Sequence, residues 1–299
     1  MAIRPGQKER DNLWKLLEMA RAEDLGSSGD ITSSILPREV HAAGRFVARQ
    51  QVVLCGGALL ETIAAAYDGE LRTKCLAEEG ASLAPGDVLA EWDGPARAMM
   101  AAERVALNFL QRLSGVATTT ADYVRAVEAT GVGIFDTRKT TPAWRDLEKY
   151  AVRTGGGRNH RQGLYDAVLI KDNHLAVLAK AEGQDPIHAV GRELERIAPY
   201  MSEKSFIELE VDTLEQFRVG LRLPVDIILL DNMTCDELRT AVRERNEAGL
   251  ARRIELEASG GVSLETVARI AATGVERIAI GALTHSAQAV DIALDIEVD

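Results

Sequence analysis

From residue 131 onward the chain repeats one cycle: a short run of strand-forming residues, a polar turn, and a helix-length stretch. The strand runs fall at residues 133–137, 167–171, 206–211, 225–231, 253–259 and 277–281. Strands joined by helix-length crossovers pair in parallel, and the right-handed crossover rule leaves a barrel or an open doubly wound sheet. Two of the runs favour the barrel. In Ile207-Glu208-Leu209-Glu210-Val211-Asp212 and Ile254-Glu255-Leu256-Glu257-Ala258-Ser259, alternation gives one face to apolar side chains. The other face carries Glu208, Glu210 and Asp212 in the first run, and Glu255, Glu257 and Ser259 in the second. The apolar face is expected to meet the helices, which leaves the acids inside. Ordinary barrel interiors are packed with Val, Ile and Leu, and buried carboxylates are costly unless paired or bound to metal. This interior therefore demands cationic partners or ligand hydroxyls, with basic groups supplied by other strand ends.

A barrel takes about 250 residues, so a chain of 299 residues has room for a smaller companion domain. The companion comes first. Leu13, Leu16, Leu17 and Ala20 recur at helical spacing, and that helix is expected to stop near Gly26. Residues 44–93 alternate short β-prone runs with turn signals such as Pro85-Gly86-Asp87, and one helix is expected over 59–67. Beyond residue 96 the chain is rich in Ala, Leu, Met and Arg, interrupted only by Gly115, which predicts a long or broken helix leading into the second domain.

Charge and cysteine content narrow the function. A net charge of −11 argues against a general nucleic-acid or membrane-surface binder, since both need a basic footprint. An anionic ligand must therefore meet a local basic cluster. The three cysteines, Cys55, Cys75 and Cys235, lie far apart and fit neither a disulfide framework nor a zinc site, so a reducing cytoplasm is the expected home. No apolar run resembles a secretory signal or a membrane span.

The densest chemistry is Asp136-Thr137-Arg138-Lys139-Thr140-Thr141-Pro142, at the end of a predicted strand, where barrel active sites lie. Two adjacent cations beside hydroxyls can hold an anion, although one such run by itself is more often a solvated loop. It is followed by Thr154-Gly155-Gly156-Gly157-Arg158-Asn159-His160-Arg161, whose glycines could let backbone amides approach anionic oxygens. The strand ending Leu169-Ile170-Lys171-Asp172-Asn173-His174 again places polar groups at the catalytic end, with helix capping by Asp172 or Asn173 as an equal alternative.

Taken in order, Thr137-Arg138-Lys139-Thr140-Thr141-Pro142, Asn159-His160-Arg161, Leu169-Ile170-Lys171-Asp172-Asn173-His174 and Leu230-Asp231-Asn232 resemble the quinolinate phosphoribosyltransferases, or nicotinate-nucleotide pyrophosphorylases (carboxylating). The resemblance extends from Ala22-Glu23-Asp24-Leu25-Gly26 through Ala102-Glu103-Arg104 to Gly281-Ala282-Leu283-Thr284-His285-Ser286. It implies an N-terminal α/β sandwich over residues 1–116, an incomplete α/β barrel of parallel strands over 117–285, and a segment 286–299 returning to the first domain. It also implies transfer of phosphoribosyl from phosphoribosyl pyrophosphate to quinolinate with loss of carbon dioxide, Mg²⁺ as cofactor, and a homodimer with shared sites. Arg104 would then be donated to the neighbouring site. By motif, Arg104, Thr137, Arg138, Lys139, His160, Arg161 and Lys171 would surround the dicarboxylate and phosphates. Glu210 and Asp231 would face ribose and magnesium, with Lys139, Lys171, Glu210 and Asp231 as the catalytic set. Ser259, Gly260, Gly261, Gly281 and Ala282 would form phosphate-binding turns, or plain tight turns.

Three rival readings stay open from the residues: a same-fold pyrophosphorylase acting on another base, as in molybdenum utilisation, a Schiff-base barrel lyase using Lys171, and a non-catalytic phosphate-binding scaffold. The cations beside the 137–142 and 159–161 turns favour a substrate with two carboxylates plus phosphates. The scaffold needs neither paired cations nor magnesium-facing acids.

Overall fold

The computed structural model describes residues 3–182, 186–202 and 205–298. An opening helix α1 (Gln7–Leu25) precedes β1 (His41–Ala48), β2 (Val52–Val53), α2 (Leu60–Tyr67), β3 (Arg72–Cys75), β4 (Ser82–Leu83) and β5 (Val88–Pro95). The long helix α3 (Ala96–Val127) follows, then β6 (Gly133–Phe135), α4 (Arg145–Thr154), β7 (Val168–Ile170), α5 (Asp172–Glu182) and α6 (Pro186–Ile197). The remainder alternates as β8 (Ile207–Val211), α7 (Leu214–Gly220), β9 (Ile227–Asp231), α8 (Cys235–Glu247) and β10 (Glu255–Ser259). It ends with α9 (Leu264–Ala271), β11 (Arg277–Ala279), α10 (Ala282–His285) and β12 (Ile292–Glu297). Two units result, one gathering Met1–Ala121, Lys139–Gly157 and Ala282–Asp299, the other Asp122–Arg138 and Arg158–Gly281.

The first unit is built on an antiparallel sheet in the order β12-β1-β5-β3. Along β1, every second residue from Ala42 is buried, so one face of the strand can cover a core. Phe46 and Trp92 meet edge to face at 4.8 Å between centroids inside it. The last strand, β12, joins the edge of this sheet beside β1. Helix α1 buries Leu13, Leu16 and Leu17, and ends where Gly26 takes a φ of 49°.

The division differs from the linear boundaries expected: residues 117–121, 139–157 and 282–285, expected in the barrel, belong to the first unit, together with 286–299. Side chains explain why. Arg153 of α4 pairs with Glu9 of α1 at 2.6 Å, and Trp144 stacks on Phe109 of α3 at 4.7 Å. The fully buried Glu148 accepts from Arg112 at 2.6 Å and from the Thr141 hydroxyl at 2.9 Å. Removing one partner of a buried ion pair costs about 3–5 kcal/mol, so this contact alone holds α4 firmly. Helix α3 runs unbroken through Gly115, where a Cβ would lie 2.0 Å from the Gln288 carbonyl oxygen. The glycine is a place for the returning chain to cross the helix, not an interruption.

The second unit is a six-stranded parallel sheet in the order β6-β11-β10-β9-β8-β7. Each strand from β7 to β10 pairs with its successor, and the first strand of this sheet, β6, pairs with its last, β11. A doubly wound sheet reverses direction midway; this one does not, so its helices fall on one side and the strands form an incomplete barrel wall. No pairing of β6 with β7 occurs among the described residues, and the edge of β6 instead carries a single parallel bridge between Phe135 and Arg158.

In-register neighbours share a face. Glu208 pairs with Ile227, Glu255 with Ile227, Glu257 with Leu229 and Arg277, and Ser259 with Asp231, which assigns all of these to the inner face. The opposite face carries Ile134, Leu209, Ile228, Leu230, Leu256 and Ile278, each 2% exposed or less. Gly220 of α7 packs against Leu209 and Ile228, so the apolar face does meet helices. Thr213 caps α7 and Thr234 forms a capping box with Glu237 at the start of α8. Two of the acids expected inside are exposed at strand ends. Asp212 lies past the end of β8, exposed, with its amide bonded to Gln216, and Glu255 is exposed at the amino end of β10.

Candidate active site

At the carboxyl edge of the sheet, Lys171 follows β7 and its ammonium pairs with the Glu210 carboxylate of β8. The Glu210 side chain is 11% exposed and that of Lys171 42%, so the pair is open to a ligand from one side. One strand further, Asp231 ends β9 in register with Ser259 of β10. Asn232 adopts a left-handed φ of 54°, uncommon outside glycine, and donates Nδ2 to Asp231 Oδ2 at 2.6 Å. Gly260, with φ of 94°, fits closely here: a Cβ would lie 2.1 Å from Asn232 Oδ1. The turn after Ser259 is therefore built against the turn carrying Asp231, and Gly261 continues it at φ 58°. Thr137 and Arg138 follow β6, both half-buried, and Gly281 follows β11.

Asp136 anchors the segment alongside β6. Fully buried, it accepts from Asn159 Nδ2 at 2.7 Å and from the His160 amide at 2.8 Å. Arg161 is 7% exposed and donates Nη1 to the Ala167 carbonyl at 3.3 Å. Burial first, and then the charge of Arg138, pulls its pKa below the usual guanidinium value, while Glu208 and Glu210 pull it back. A guanidinium so placed gains from an incoming anion.

Beneath this edge lies a layer that the sequence reading left without named partners. Glu208 and Glu257 are both fully buried. His160 Nε2 stands 2.8 Å from Glu208 and 3.5 Å from Glu257. Arg277 donates Nε to Glu257 at 2.7 Å and Nη1 to Glu255 at 3.2 Å, its guanidinium 3.7 Å from the centre of the Phe135 ring. Burial raises the pKa of both buried acids to about 7, and for Glu257 the facing Glu208 charge adds to it. Arg277 was legible in principle: alternation counted back from Gly281 puts residues 279 and 277 on the inner face.

His160, Glu208 and Glu257 bring three possible ligand atoms within 4.8 Å of one another, yet they suit a metal poorly. His160 Nδ1 accepts the Arg161 amide at 2.7 Å, so in a neutral ring the proton sits on Nε2, the nitrogen that faces the acids. A protonated nitrogen offers no lone pair. Glu210 and Asp231 stand at the carboxyl edge, with Glu210 paired to Lys171 and Asp231 accepting from Asn232, and carboxylates of this kind are what Mg²⁺ shares with substrate phosphates.

The structure thus brings Thr137, Arg138, His160, Arg161, Lys171, Glu210, Asp231, Ser259, Gly260, Gly261 and Gly281 into one unit, while Arg104, Lys139 and Ala282 belong to the other. The Lys139 side of that boundary is exposed, and its carbonyl accepts the Thr284 hydroxyl at 2.7 Å. The Arg104 side chain is 61% exposed, 4.0 Å from Glu103. The glycine run 155–157 does not offer amides to an anion. Those amides bond to Ala151, Arg153 and Val152 carbonyls, and a Cβ on Gly155 or Gly157 would strike Ala117 or Thr120 of α3 at 2.3 and 2.7 Å. These glycines serve helix packing. The Asp172 side chain lies outside the described residues; at the start of α5 it is His174 Nδ1 that accepts the Lys171 amide, at 3.0 Å. Lys171 sits beside an acid rather than in the apolar surroundings that make a nucleophilic amine, which disfavours the Schiff-base reading.

A singly wound parallel sheet with acids, cations and two glycine turns converging on its carboxyl edge defines an α/β-barrel enzyme for an anionic substrate. Residues 116–295 match the C-terminal domain, and residues 30–114 the N-terminal domain, of the quinolinate phosphoribosyl transferase family. The chain belongs to that family. It is 39% identical to a probable nicotinate-nucleotide pyrophosphorylase (carboxylating) of Bacillus subtilis, over 95% of this chain and 93% of that protein. The nicotinate-nucleotide pyrophosphorylase (carboxylating) of Mycobacterium leprae is 40% identical over 96% and 98%. Among solved structures, nicotinate-nucleotide pyrophosphorylase from Ehrlichia chaffeensis superposes with a TM-score of 0.85 at 37% identity, covering 95% of this chain and 98% of the other. NadC from Streptococcus pyogenes gives 0.87 at 33%, covering 97% and 98%.

Proposed function

We propose that this protein transfers phosphoribosyl from phosphoribosyl pyrophosphate to quinolinate with decarboxylation, giving nicotinate mononucleotide, pyrophosphate and carbon dioxide in NAD biosynthesis. The observation that carries the reading is the pairing of opposite needs at one sheet edge. Buried Arg161 and half-buried Arg138 call for carboxylates, while Glu210 and Asp231 call for hydroxyls and a cation. The names borne by the full-length relatives point the same way.

Arg138, Arg161 and Lys139 orient the two carboxylates, and Lys171, held by Glu210, adds compact charge beside them. Glu210 and Asp231 take the ribose hydroxyls and would hold Mg²⁺, which would supply positive charge to the pyrophosphate leaving group. The turns at Ser259, Gly260, Gly261, Gly281 and Ala282 accept phosphate. Orientation supplies most of the rate gain, because holding nitrogen and anomeric carbon in line removes the entropy cost of a bimolecular encounter. The ring nitrogen donates its lone pair to the anomeric carbon as the carbon–oxygen bond to pyrophosphate breaks. The bond from ring carbon 2 to its carboxylate then breaks, carbon dioxide leaves, the electron pair stays on carbon 2 beside the positively charged ring nitrogen, and a proton adds there. The cationic nitrogen stabilises that carbon, so no pyridoxal or thiamine group is required.

The protein works in the cytoplasm as a homodimer, with Arg104 entering the partner's site; its exposure suits that role. Among the described residues no helix is long and apolar enough to cross a membrane. Product analysis with purified protein, quinolinate, phosphoribosyl pyrophosphate and Mg²⁺ is expected to give nicotinate mononucleotide, pyrophosphate and carbon dioxide in equal amounts. Consumption of quinolinate without carbon dioxide, or no consumption at all, refutes the reading.

A further inference from the structure

The fully buried Glu208 and Glu257 have no part in the transfer step described above, and Arg277 reaches no ligand position assigned there. Their contacts form a chain. Arg277, pinned over Phe135 at 3.7 Å, donates to Glu257 at 2.7 Å. Glu257 and Glu208 together face His160 Nε2, at 3.5 and 2.8 Å. At the opposite corner of the ring, His160 Nδ1 accepts the amide of Arg161 at 2.7 Å. We propose that Arg277 and Glu257 are positioning residues: through His160 they fix the backbone of Arg161, and so set where its guanidinium meets a substrate carboxylate. The proposal rests on the reading of Arg161 as a carboxylate-binding group.

Ring geometry makes the coupling obligatory. Turning the imidazole over would put a carbon against the Arg161 amide and another carbon against the acids, losing both contacts together. The ring is thus held at one end by what binds the other, with Phe206 edge-on at 5.4 Å limiting tilt. Two carboxylates in one buried space repel each other, and Arg277 is the cation in register with one of them. Without it, Glu257 loses its hydrogen-bonded counter-charge, and the balance of charge in the acid pair that faces Nε2 at ion-pair distance changes. Asp136 fixes the backbone before Arg161 through the His160 amide, and among the described residues the Arg161 side chain itself donates to one carbonyl and otherwise meets charges at longer range. A small rotation of its backbone therefore displaces the guanidinium, and misplacement by about 1 Å can cost as much as a hundredfold in an oriented reaction.

The test compares Glu257→Gln, Arg277→Met and the conservative Arg277→Lys with the parent protein, each first checked for a cooperative unfolding transition. Nitrogen NMR of histidine-labelled, ligand-free protein, with His160 assigned by a His160→Gln variant, is expected to show Nδ1 unprotonated and Nε2 protonated in the parent. That signature is expected to be lost in Glu257→Gln and Arg277→Met and partly kept in Arg277→Lys. Calorimetry is expected to show quinolinate affinity falling about tenfold or more in the first two, with phosphoribosyl pyrophosphate affinity within about twofold. Equal loss of both affinities marks a general structural defect and overturns the proposal, as does unchanged quinolinate affinity in Glu257→Gln. A proton on Nδ1 in the parent, or a stoichiometric metal lost in Glu257→Gln, overturns it as well. If Arg277→Met does not fold, Glu257→Gln and Arg277→Lys decide. Should quinolinate fail to bind the parent, the functional reading fails on its own, while the NMR signature still reports on the buried chain.

Discussion

Removing one carboxylate from the substrate probes the site most directly, because nicotinate is quinolinate without its 2-carboxylate. Arg161 is 7% exposed and burial already opposes its charge. Leaving one member of a buried ion pair without its partner costs about 3–5 kcal/mol. The site opens at the sheet edge, where water can partly replace the missing group, so the lower end applies. About 3 kcal/mol at about 1.4 kcal/mol per tenfold gives a loss of about a hundredfold. The assay is kcat/KM for both acids at saturating phosphoribosyl pyrophosphate and Mg²⁺, in the parent and in Arg161→Met. Expected are a preference for quinolinate of about a hundredfold in the parent and collapse of that preference in the variant, since nicotinate has little to lose there. Nicotinate turnover within tenfold of quinolinate, or an unchanged ratio in Arg161→Met, refutes the reasoning.

Glu210→Ala and Asp231→Ala are expected to lower turnover far more than quinolinate affinity; calorimetry with each substrate separates the two, and normal phosphoribosyl pyrophosphate binding with parental turnover removes either residue from its role. Mixing Arg104→Ala with Lys171→Ala under subunit exchange is expected to restore activity to about a quarter of all sites, because about half the dimers are hybrids with one intact site. No recovery, with hybrids verified by mass spectrometry, confines Arg104 to its own chain. Glu208 and Glu257, both raised to about 7 by burial, favour the folded state when protonated. Their contribution is full below the ordinary carboxylate range and is lost as pH rises toward 7. Denaturant midpoints are therefore expected to show Glu257→Gln gaining on the parent as pH rises from about 4.5 to 7, by up to about 3 kcal/mol; a pH-independent difference contradicts this.

Much of the fold and part of the site could be read from residue order alone. Strand periodicity with helix-length crossovers specified parallel strands, and alternation in residues 207–211 and 255–259 specified which acids face inward, because both are local properties of an extended chain. The stop at Gly26 and the positions of Lys171, Glu210 and Asp231 at strand ends followed in the same way. What partners those acids take is not local. Glu257 meets Arg277 through the pairing of adjacent strands β10 and β11, but His160 comes to Glu208 and Glu257 from a segment far earlier in the chain, which only the closing of the sheet brings alongside them. Gly155 and Gly157 read as a ligand loop until α3 is placed against them, since a glycine looks the same whether it admits a phosphate or a neighbouring helix. Residues 139–157 read as barrel because they interrupt barrel strands, yet they join the first unit because Glu148 and Arg153 find their partners in α3 and α1. Sequence order decided which groups each strand and turn could present; tertiary packing decided what each group faces, because a side chain's partner is set by where distant segments meet.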